Sequence, residues 1–182
     1  MHDPAMNIST RRHEKHPPIC TSSMDSPIGR LILAATGNGL CGLYLEGQQH
    51  MPDTTSWLDD ASRFDPVRTQ LADYFAGQRA AFTLPLEIAG GTAFQRQVWE
   101  ALKLIPPGQT WTYARLAGEI GRPAAVRAVG AAVGRNPLSI VLPCHRIVGS
   151  DGSLTGYAGG MERKRWLLEH ERAGGTAAAS GR

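Results

Sequence analysis

The sequence predicts a mixed α+β protein built from two unlike halves, and three observations predict it. In the first half, apolar runs with hairpin chemistry between them dominate, and one long helical stripe follows. In the second half, helical spacing dominates, and two helices are joined by a tight glycine turn. Charge divides at the same place: residues 1–91 hold 7 Lys and Arg against 10 Asp and Glu, whereas residues 92–172 hold 11 against 6.

Residues 1–17 read as a disordered tail, with Arg11-Arg12-His13-Glu14-Lys15 as a solvated charge run. Arg30–Ala35 and Leu40–Leu45 read as strands, because Thr36-Gly37-Asn38-Gly39 between them suits a hairpin. Asp65 is expected to cap a helix with Pro66 at its first position. Val67, Leu71, Tyr74 and Phe75 form its apolar stripe, and Gly77 stops it. Ala81–Ile88 reads as another strand, and Gly90-Gly91 as a boundary. The domains expected are therefore 18–91 and 92–172.

Thr92-Ala93-Phe94-Gln95 is a capping-box pattern opening a helix that Pro106-Pro107-Gly108 ends. A short helix over Tyr113–Ile120 follows Thr112 as its cap; Gly121-Arg122 turns the chain; Pro123 opens a third helix reaching Asn136-Pro137. Leu138–Leu142 reads as a strand, Gly149-Ser150-Asp151-Gly152 as a turn, and Glu162–Glu171 as the last helix. Residues 173–182 are small and polar and are expected to form a flexible tail.

The chain of 182 residues can carry one good core or two small ones. No apolar run is long enough to span a bilayer, and the N-terminus lacks a signal-peptide core, so a cytoplasmic protein is expected. Three cysteines, Cys20, Cys41 and Cys144, form no C-x-x-C pair, which argues against a disulfide framework or a local zinc knuckle. The basic second half is the candidate for a polyanionic partner, although its net +5 is also ordinary for a soluble domain.

On a helical wheel, Val126, Val129, Gly130 and Val133 form the core face of the third helix. Ala124, Arg127, Ala128, Ala131 and Arg135 occupy the opposite face. That face offers few groups to read base edges, but its slimness admits a close backbone approach, with Arg127 standing out from it. Such an arginine suits insertion into a base stack with sequence-independent binding. Alanine is also simply the best helix former, and solvated arginines on such a face need no function.

Pro143-Cys144-His145-Arg146 holds a cysteine beside a histidine and a cation. A nucleophilic cysteine must be a thiolate, and a free thiol with a pKa of about 8.5 is mostly protonated at neutral pH. His145 is a candidate base if a turn or a water brings it to the sulfur. Glu171 shares the inward stripe of Leu167 and Leu168, where a carboxylate needs a partner, and a histidine N–H is a natural one. The bland readings stay open here: a small buried Cys144, a core His145 and a frayed Glu171. Cys20 and Cys41 read as packing residues. Thr155–Gly160 is a glycine-rich loop that could line a flat pocket or merely link. Arg163-Lys164-Arg165 could add phosphate contacts or be a solvated helix face.

Pro143-Cys144-His145-Arg146-Ile147-Val148 resembles the active-site sequence of the O6-alkylguanine-DNA alkyltransferases. The resemblance extends, in family order and spacing, to Thr112-Tyr113, Arg127-Ala128-Val129-Gly130, Asn136-Pro137, Tyr157-Ala158-Gly159-Gly160 and Trp166-Leu167-Leu168-Glu169-His170-Glu171. It covers residues 92–171 strongly and 21–91 loosely, through Asp25-Ser26-Pro27-Ile28-Gly29 and the later helix.

This resemblance implies an N-terminal ribonuclease-H-like domain and a C-terminal winged helix-turn-helix-like domain carrying the active site. It implies entry from the minor groove of double-stranded DNA containing O6-alkylguanine, with Arg127 filling the gap left by the flipped nucleotide. Ala128, Ala131, Arg135 and Thr112 would complete the DNA-facing surface. Cys144 would accept the alkyl group irreversibly, with His145 and Glu171 as its relay and Asn136 as the hinge beside it. Tyr113 would hold the guanine ring and neutralise the leaving group. The carbonyls of Cys144 and Ile147 would hold the exocyclic amine, Ala158 would face the O6 oxygen, and Tyr157 and Arg146 would line the pocket. Some relatives have Ser where this chain has Ala158, so only a backbone donor is expected there. Some bind zinc with N-terminal Cys and His residues that find no equivalent here, so neither metal nor cofactor is expected. A monomer is expected. The competing readings are a lesion-sensing DNA-binding protein, disfavoured by the presence of Cys144, and a cysteine hydrolase, disfavoured by the helix-turn-helix.

Overall fold

Leu31–Thr36 (β2) and Gly39–Leu45 (β3) pair as an antiparallel hairpin, within a residue of the sequence expectation. The computed structural model describes residues 17–88 and 90–179, with side chains through Gly174. Residues 1–16 of the tail expected over 1–17, and residues 180–182 of the C-terminal one, lie outside the described residues.

Cys20–Met24 (β1), which the sequence reading passed over, pairs antiparallel with β2; Leu58–Asp59 (β4) adds in parallel, giving the order β3-β2-β1-β4. The polar run Thr21-Ser22-Ser23 hides β1 from an apolar pattern, yet Thr21 Oγ1 donates to Leu33 O at 2.9 Å.

The strand expected over Ala81–Ile88 is only an extended segment with one bridge, Leu40 to Leu86. Pro85 lacks an N–H, so it accepts from Leu40 N–H at 2.8 Å without donating in return. Gly39 allows this approach, since a Cβ there would lie 2.5 Å from Pro85 O.

Asp65–Phe75 (α1) begins one residue earlier than expected: Phe64 is the N-cap, and Asp65 is inside the helix with no capping bond. Val67, Leu71 and Tyr74 are buried, so its predicted face is the one that packs.

Gly91, where a domain boundary was expected, has a steric reason to be glycine. A Cβ on Gly91 would lie 2.5 Å from the Trp99 ring, and its φ of +77° suits glycine. Ala93–Leu102 (α2) then opens with the full capping box, Thr92 and Gln95 exchanging bonds. Tyr113–Glu119 (α3) is capped by Thr112, whose side chain accepts from Arg115 N–H at 3.1 Å.

The third helix expected from Pro123 starts instead at Val126 and ends at Gly134 (α4). Ala125 N–H bonds back to Arg122 O, which makes residues 122–125 a turn. Trp99 Nε1 ties α2 to α4 by donating to Ala132 O at 2.8 Å.

Trp111–Thr112 (β5) and Ile147–Val148 (β6) form a small parallel pair. Met161–Ala179 (α5) runs past the expected end at Glu171, so residues 173–179 are helical where a flexible tail was expected.

The core is continuous across both halves, from Cys20 and Leu33 through Tyr74 and Trp99 to Ile147 and Leu167. Burying so much shared apolar surface favours one packed unit rather than two loosely tethered ones. Among the described residues, no helix is long and apolar enough to cross a membrane.

Candidate active site

The strand expected over Leu138–Leu142 is absent; the chain there coils around one amide. Asn136 Nδ2 donates to Leu142 O at 2.8 Å, and its Oδ1 accepts from Leu138 N–H at 3.0 Å. Leu142 N–H returns to Leu138 O at 2.8 Å, and Cys144 N–H to Leu142 O at 2.7 Å. Inside this coil the buried Ile140 takes a φ of +71°, a conformation a β-branched residue adopts only where its surroundings impose it. The N-terminal half braces the loop: Leu43 N–H bonds Pro137 O and Ser139 N–H bonds Leu43 O, both at 2.9 Å.

Cys144, His145 and Arg146 form a single 3-10 turn, so His145 is turned inward rather than projecting opposite the cysteine. Cys144 is 5% exposed, and Asn136 Nδ2 donates to its Sγ at 3.0 Å. Burial pushes the thiol pKa up, while the Asn136 bond and the Lys164 charge pull it down. The resting group is thus a protonated thiol at neutral pH, with thiolate-stabilising groups already in place.

His145 is fully buried, with Nε2 2.8 Å from Glu171 Oε1. A carboxylate only accepts, so Nε2 carries the hydrogen and Nδ1 presents a lone pair. Among the described residues that buried Nδ1 finds no hydrogen-bond partner. Burial holds the imidazole pKa below its ordinary value, against the opposing pull of Glu171. A neutral imidazole with a free acceptor nitrogen is the form a general base needs.

Arg146, expected to line the substrate pocket, is buried against Glu171. Its Nε and Nη2 reach Glu171 Oε2 and Oε1 at 2.8 Å each, and Nη1 reaches Ile105 O at 2.5 Å. A buried guanidinium next to a buried carboxylate outcompetes any solvent-side position for it. Bonds from His145 and Arg146 hold the Glu171 carboxyl far below the usual range despite burial. Tyr74 Oη on α1 also donates to Glu171 Oε1, at 2.9 Å.

Of the basic run in α5, Arg165 is exposed, but the solvated face or phosphate flap expected does not extend to its neighbours. Lys164 is completely buried, donating to Ile147 O at 2.5 Å, Thr155 O at 2.6 Å and Gly156 O at 3.3 Å. Burial lowers its pKa to about 8. Arg163 bonds Ile28 O, Glu46 O and Gly159 O, stitching the halves together. The helical spacing 164, 167, 168, 171 placed Lys164 on the face of Leu167, Leu168 and Glu171, so the wheel that found Glu171 held the signal for Lys164 too.

Tyr113 and Tyr157 both lie within the electrostatic reach of Cys144. Tyr113 Oη contacts Thr155 O and Gly156 O at 3.4 and 3.5 Å. Ala158 O is held by Gln49 N–H at 3.0 Å. Ile147 O already accepts from Lys164, and Cys144 O from Ile147 N–H, which leaves each carbonyl one lone pair for a ligand donor. On α4, Arg127, Ala128, Ala131 and Arg135 are all exposed while Val129, Ala132 and Val133 are buried. Thr112 Oγ1 accepts from the Arg115 N–H at the helix cap. Among the described residues no three His, Cys, Asp or Glu side chains cluster as a metal site.

Residues 93–173 match the family described as 6-O-methylguanine DNA methyltransferase, DNA binding domain, and residues 19–88 match its ribonuclease-like domain. A methylated-DNA–protein-cysteine methyltransferase of Mycobacterium leprae is 47% identical over 150 residues, covering 82% of this chain and 90% of that one. One from Salmonella typhimurium is 60% identical over 102 residues, covering 56% and 60%. The crystal structure of Mycobacterium tuberculosis OGT in complex with DNA superposes with a TM-score of 0.79 at 46% identity, covering 84% of this chain and 92% of that one. The two halves, a mixed α/β N-terminal part and a helical C-terminal part, therefore form the two-domain architecture of a known family. The chain belongs to the 6-O-methylguanine DNA methyltransferase family.

Proposed function

We propose that this protein repairs alkylated DNA by direct reversal, moving the alkyl group of O6-alkylguanine irreversibly to Cys144. The observation that carries this reading is the buried pair of contacts Asn136–Cys144 and His145–Glu171, in which a thiol with a hydrogen-bond donor and an oriented neutral base are neighbours in one turn. Its substrate is double-stranded DNA, which it meets as a monomer in the cytoplasm, without metal or cofactor. Residues 18–91 form the ribonuclease-H-like domain and residues 92–172 the winged helix-turn-helix-like domain.

In the proposed reaction α4 enters the minor groove and Arg127 takes the place of the flipped nucleotide, while Ala128 and Ala131 allow close approach. Arg135 and Thr112 hold phosphates. The guanine stacks against Tyr157, with its exocyclic amine on the carbonyls of Cys144 and Ile147, and its O6 on the Ala158 N–H. The Cys144 proton passes through a water to His145 Nδ1. The sulfur then attacks the alkyl carbon, a carbon–sulfur bond forms, and the carbon–O6 bond breaks. Tyr113 gives its proton to the departing guanine and recovers one from the relay, so the thiol proton ends on the base. Lys164 lends its charge to the thiolate and clamps the two loops that carry Ile147 and Gly156. A thioether is a poor leaving group, so each molecule acts once.

The test is intact-protein mass after incubation with a duplex containing O6-methylguanine, beside a Cys144→Ala control. One added methyl on Cys144, absent from the control, is the expected result. Binding without any mass gain from the folded, reduced protein would mark a lesion sensor instead.

A further inference from the structure

Tyr74 belongs to the N-terminal half, yet α5 grips it at both ends. His170 Nε2 lies 2.6 Å from the Tyr74 carbonyl, and the Tyr74 hydroxyl donates to Glu171 Oε1 at 2.9 Å. The ring is 1% exposed and packs against Phe75, Phe82 and His170, with centroids 5.3–5.4 Å away. Glu171 Oε1 thus takes three donors, from Tyr74, His145 and Arg146, and only the first comes from outside the C-terminal half.

We propose that Tyr74 is a positioning residue for the relay, its hydroxyl holding Glu171 Oε1 against His145 while drawing off part of the negative charge the imidazole would otherwise feel. The inference rests on the relay reading above and extends it: the N-terminal half sets the basicity of the base.

The groups facing His145 and Glu171 are Arg146 and Cys144 from the same turn, Lys164 from α5, Tyr74 from α1 and Tyr157 from the loop before α5. Arg146 and Lys164 disfavour a proton on His145, and Glu171 favours it. A hydrogen bond donated to the carboxylate weakens that favour, so its removal makes His145 more basic. The reacting pair must hold one proton between thiol and imidazole. A more basic His145 keeps both groups protonated to higher pH, and the acid limb of the transfer rate moves up with it.

The experiment compares the full-length protein with Tyr74→Phe and Val67→Ala, the latter loosening the same helix without touching the relay. Imidazole nitrogen NMR reads the His145 titration, and single-turnover methyl transfer from the O6-methylguanine duplex is timed across pH. For Tyr74→Phe the His145 midpoint should rise by about half to one pH unit, the size expected of one such hydrogen bond. The acid limb should rise equally. Val67→Ala should lower the melting temperature and leave both midpoints in place. An unmoved His145 midpoint in Tyr74→Phe, or an equal shift in Val67→Ala, overturns the inference. A wild-type protein that transfers no methyl group overturns the repair reading alone, because the NMR titration still decides what Tyr74 does.

Discussion

Arg146 and Glu171 meet edge to edge, Nε on Oε2 and Nη2 on Oε1, each at 2.8 Å, with both side chains at most 7% exposed. The pair is close to neutral as a unit, which explains how a carboxylate can sit among Leu167, Leu168 and the fully buried His145. It also limits what Glu171 can do for the histidine. The carboxylate orients the ring and fixes the hydrogen on Nε2, while Arg146 cancels much of the charge that would make the ring a stronger base.

Arg146→Met should therefore be costly in two ways. Removing one partner of a buried pair leaves an uncompensated carboxylate, about 3–5 kcal/mol of lost stability. It should also make His145 more basic, so alkyl transfer falls off at a higher pH on the acid side than in wild type. Urea unfolding and a pH–rate profile check the two halves. A variant as stable as wild type would contradict the buried-pair account.

Acid stability follows from the same cluster. The Glu171 carboxyl is held below its ordinary 4.5, so the stability it contributes is complete above that value and is lost as pH falls through the native pKa. The His145 pKa is also lowered, from 6.5, so below that value the unfolded chain takes up a proton the native state refuses. Both terms have one sign on acidification. Stability should decline from just below pH 6.5, and more steeply below 4.5. Unfolding free energy measured at a series of pH values, with Glu171→Gln flattening the lower part of the curve, is the check.

Asn136→Ala should lose more than a hinge. The amide serves Leu142 O, Leu138 N–H and Cys144 Sγ together, all buried. Leu142 O keeps the Cys144 N–H, but leaving Leu138 N–H buried without a partner costs about 1–3 kcal/mol, and the thiol loses the donor that lowers its pKa. The expected phenotype is a lower melting temperature together with a transfer rate that recovers partly at alkaline pH. Full recovery at pH 7 would mean that the bond to sulfur is idle.

Sequence reading reached one contact of the candidate site better than the shape around it. The pairing of His145 with Glu171 was legible because a carboxylate on an apolar helical stripe has to have a partner, and a histidine is a natural one. The exposed face of α4 was legible from helical spacing alone, since Arg127, Ala128, Ala131 and Arg135 follow from the burial of Val129 and Val133. The segment 138–142 was not. Its run of Leu, Ile and Val fits a strand, but the Asn136 side chain satisfies the backbone groups a strand would have paired, and Ile140 gives up its preferred conformation to the coil. The bond from Tyr74 to Glu171 and the strand β1 were missed for a common reason: their polar atoms find partners far along the chain, at Glu171 and Leu33, and local patterns carry no trace of that.

Lys164→Gln separates charge from clamp. Glutamine can still donate to a carbonyl of the two loops but cannot help a thiolate. The Cys144 thiol pKa should rise, read as thiolate absorbance in the ultraviolet during titration. Transfer at pH 7 should slow by about tenfold for each unit of that rise, and the gap to wild type should close as pH approaches the new value. A rate deficit that is constant with pH would mean that Lys164 acts only by holding the loops.

Arg127→Ala tests the DNA face without touching the fold. The residue is exposed at the start of α4, and the core face of that helix belongs to Val129, Ala132 and Val133, so the melting temperature should not move. A phosphate contact and a stack-filling contact make different demands on salt. Losing a phosphate contact lowers the slope of log affinity against log salt by about one. Losing a side chain that replaces a flipped base leaves the slope nearly intact and slows transfer from duplex DNA instead. Transfer from the free base O6-methylguanine needs no flipping and should keep its wild-type rate. An unchanged duplex rate with a reduced salt slope would place Arg127 on the backbone and remove it from the flipping step.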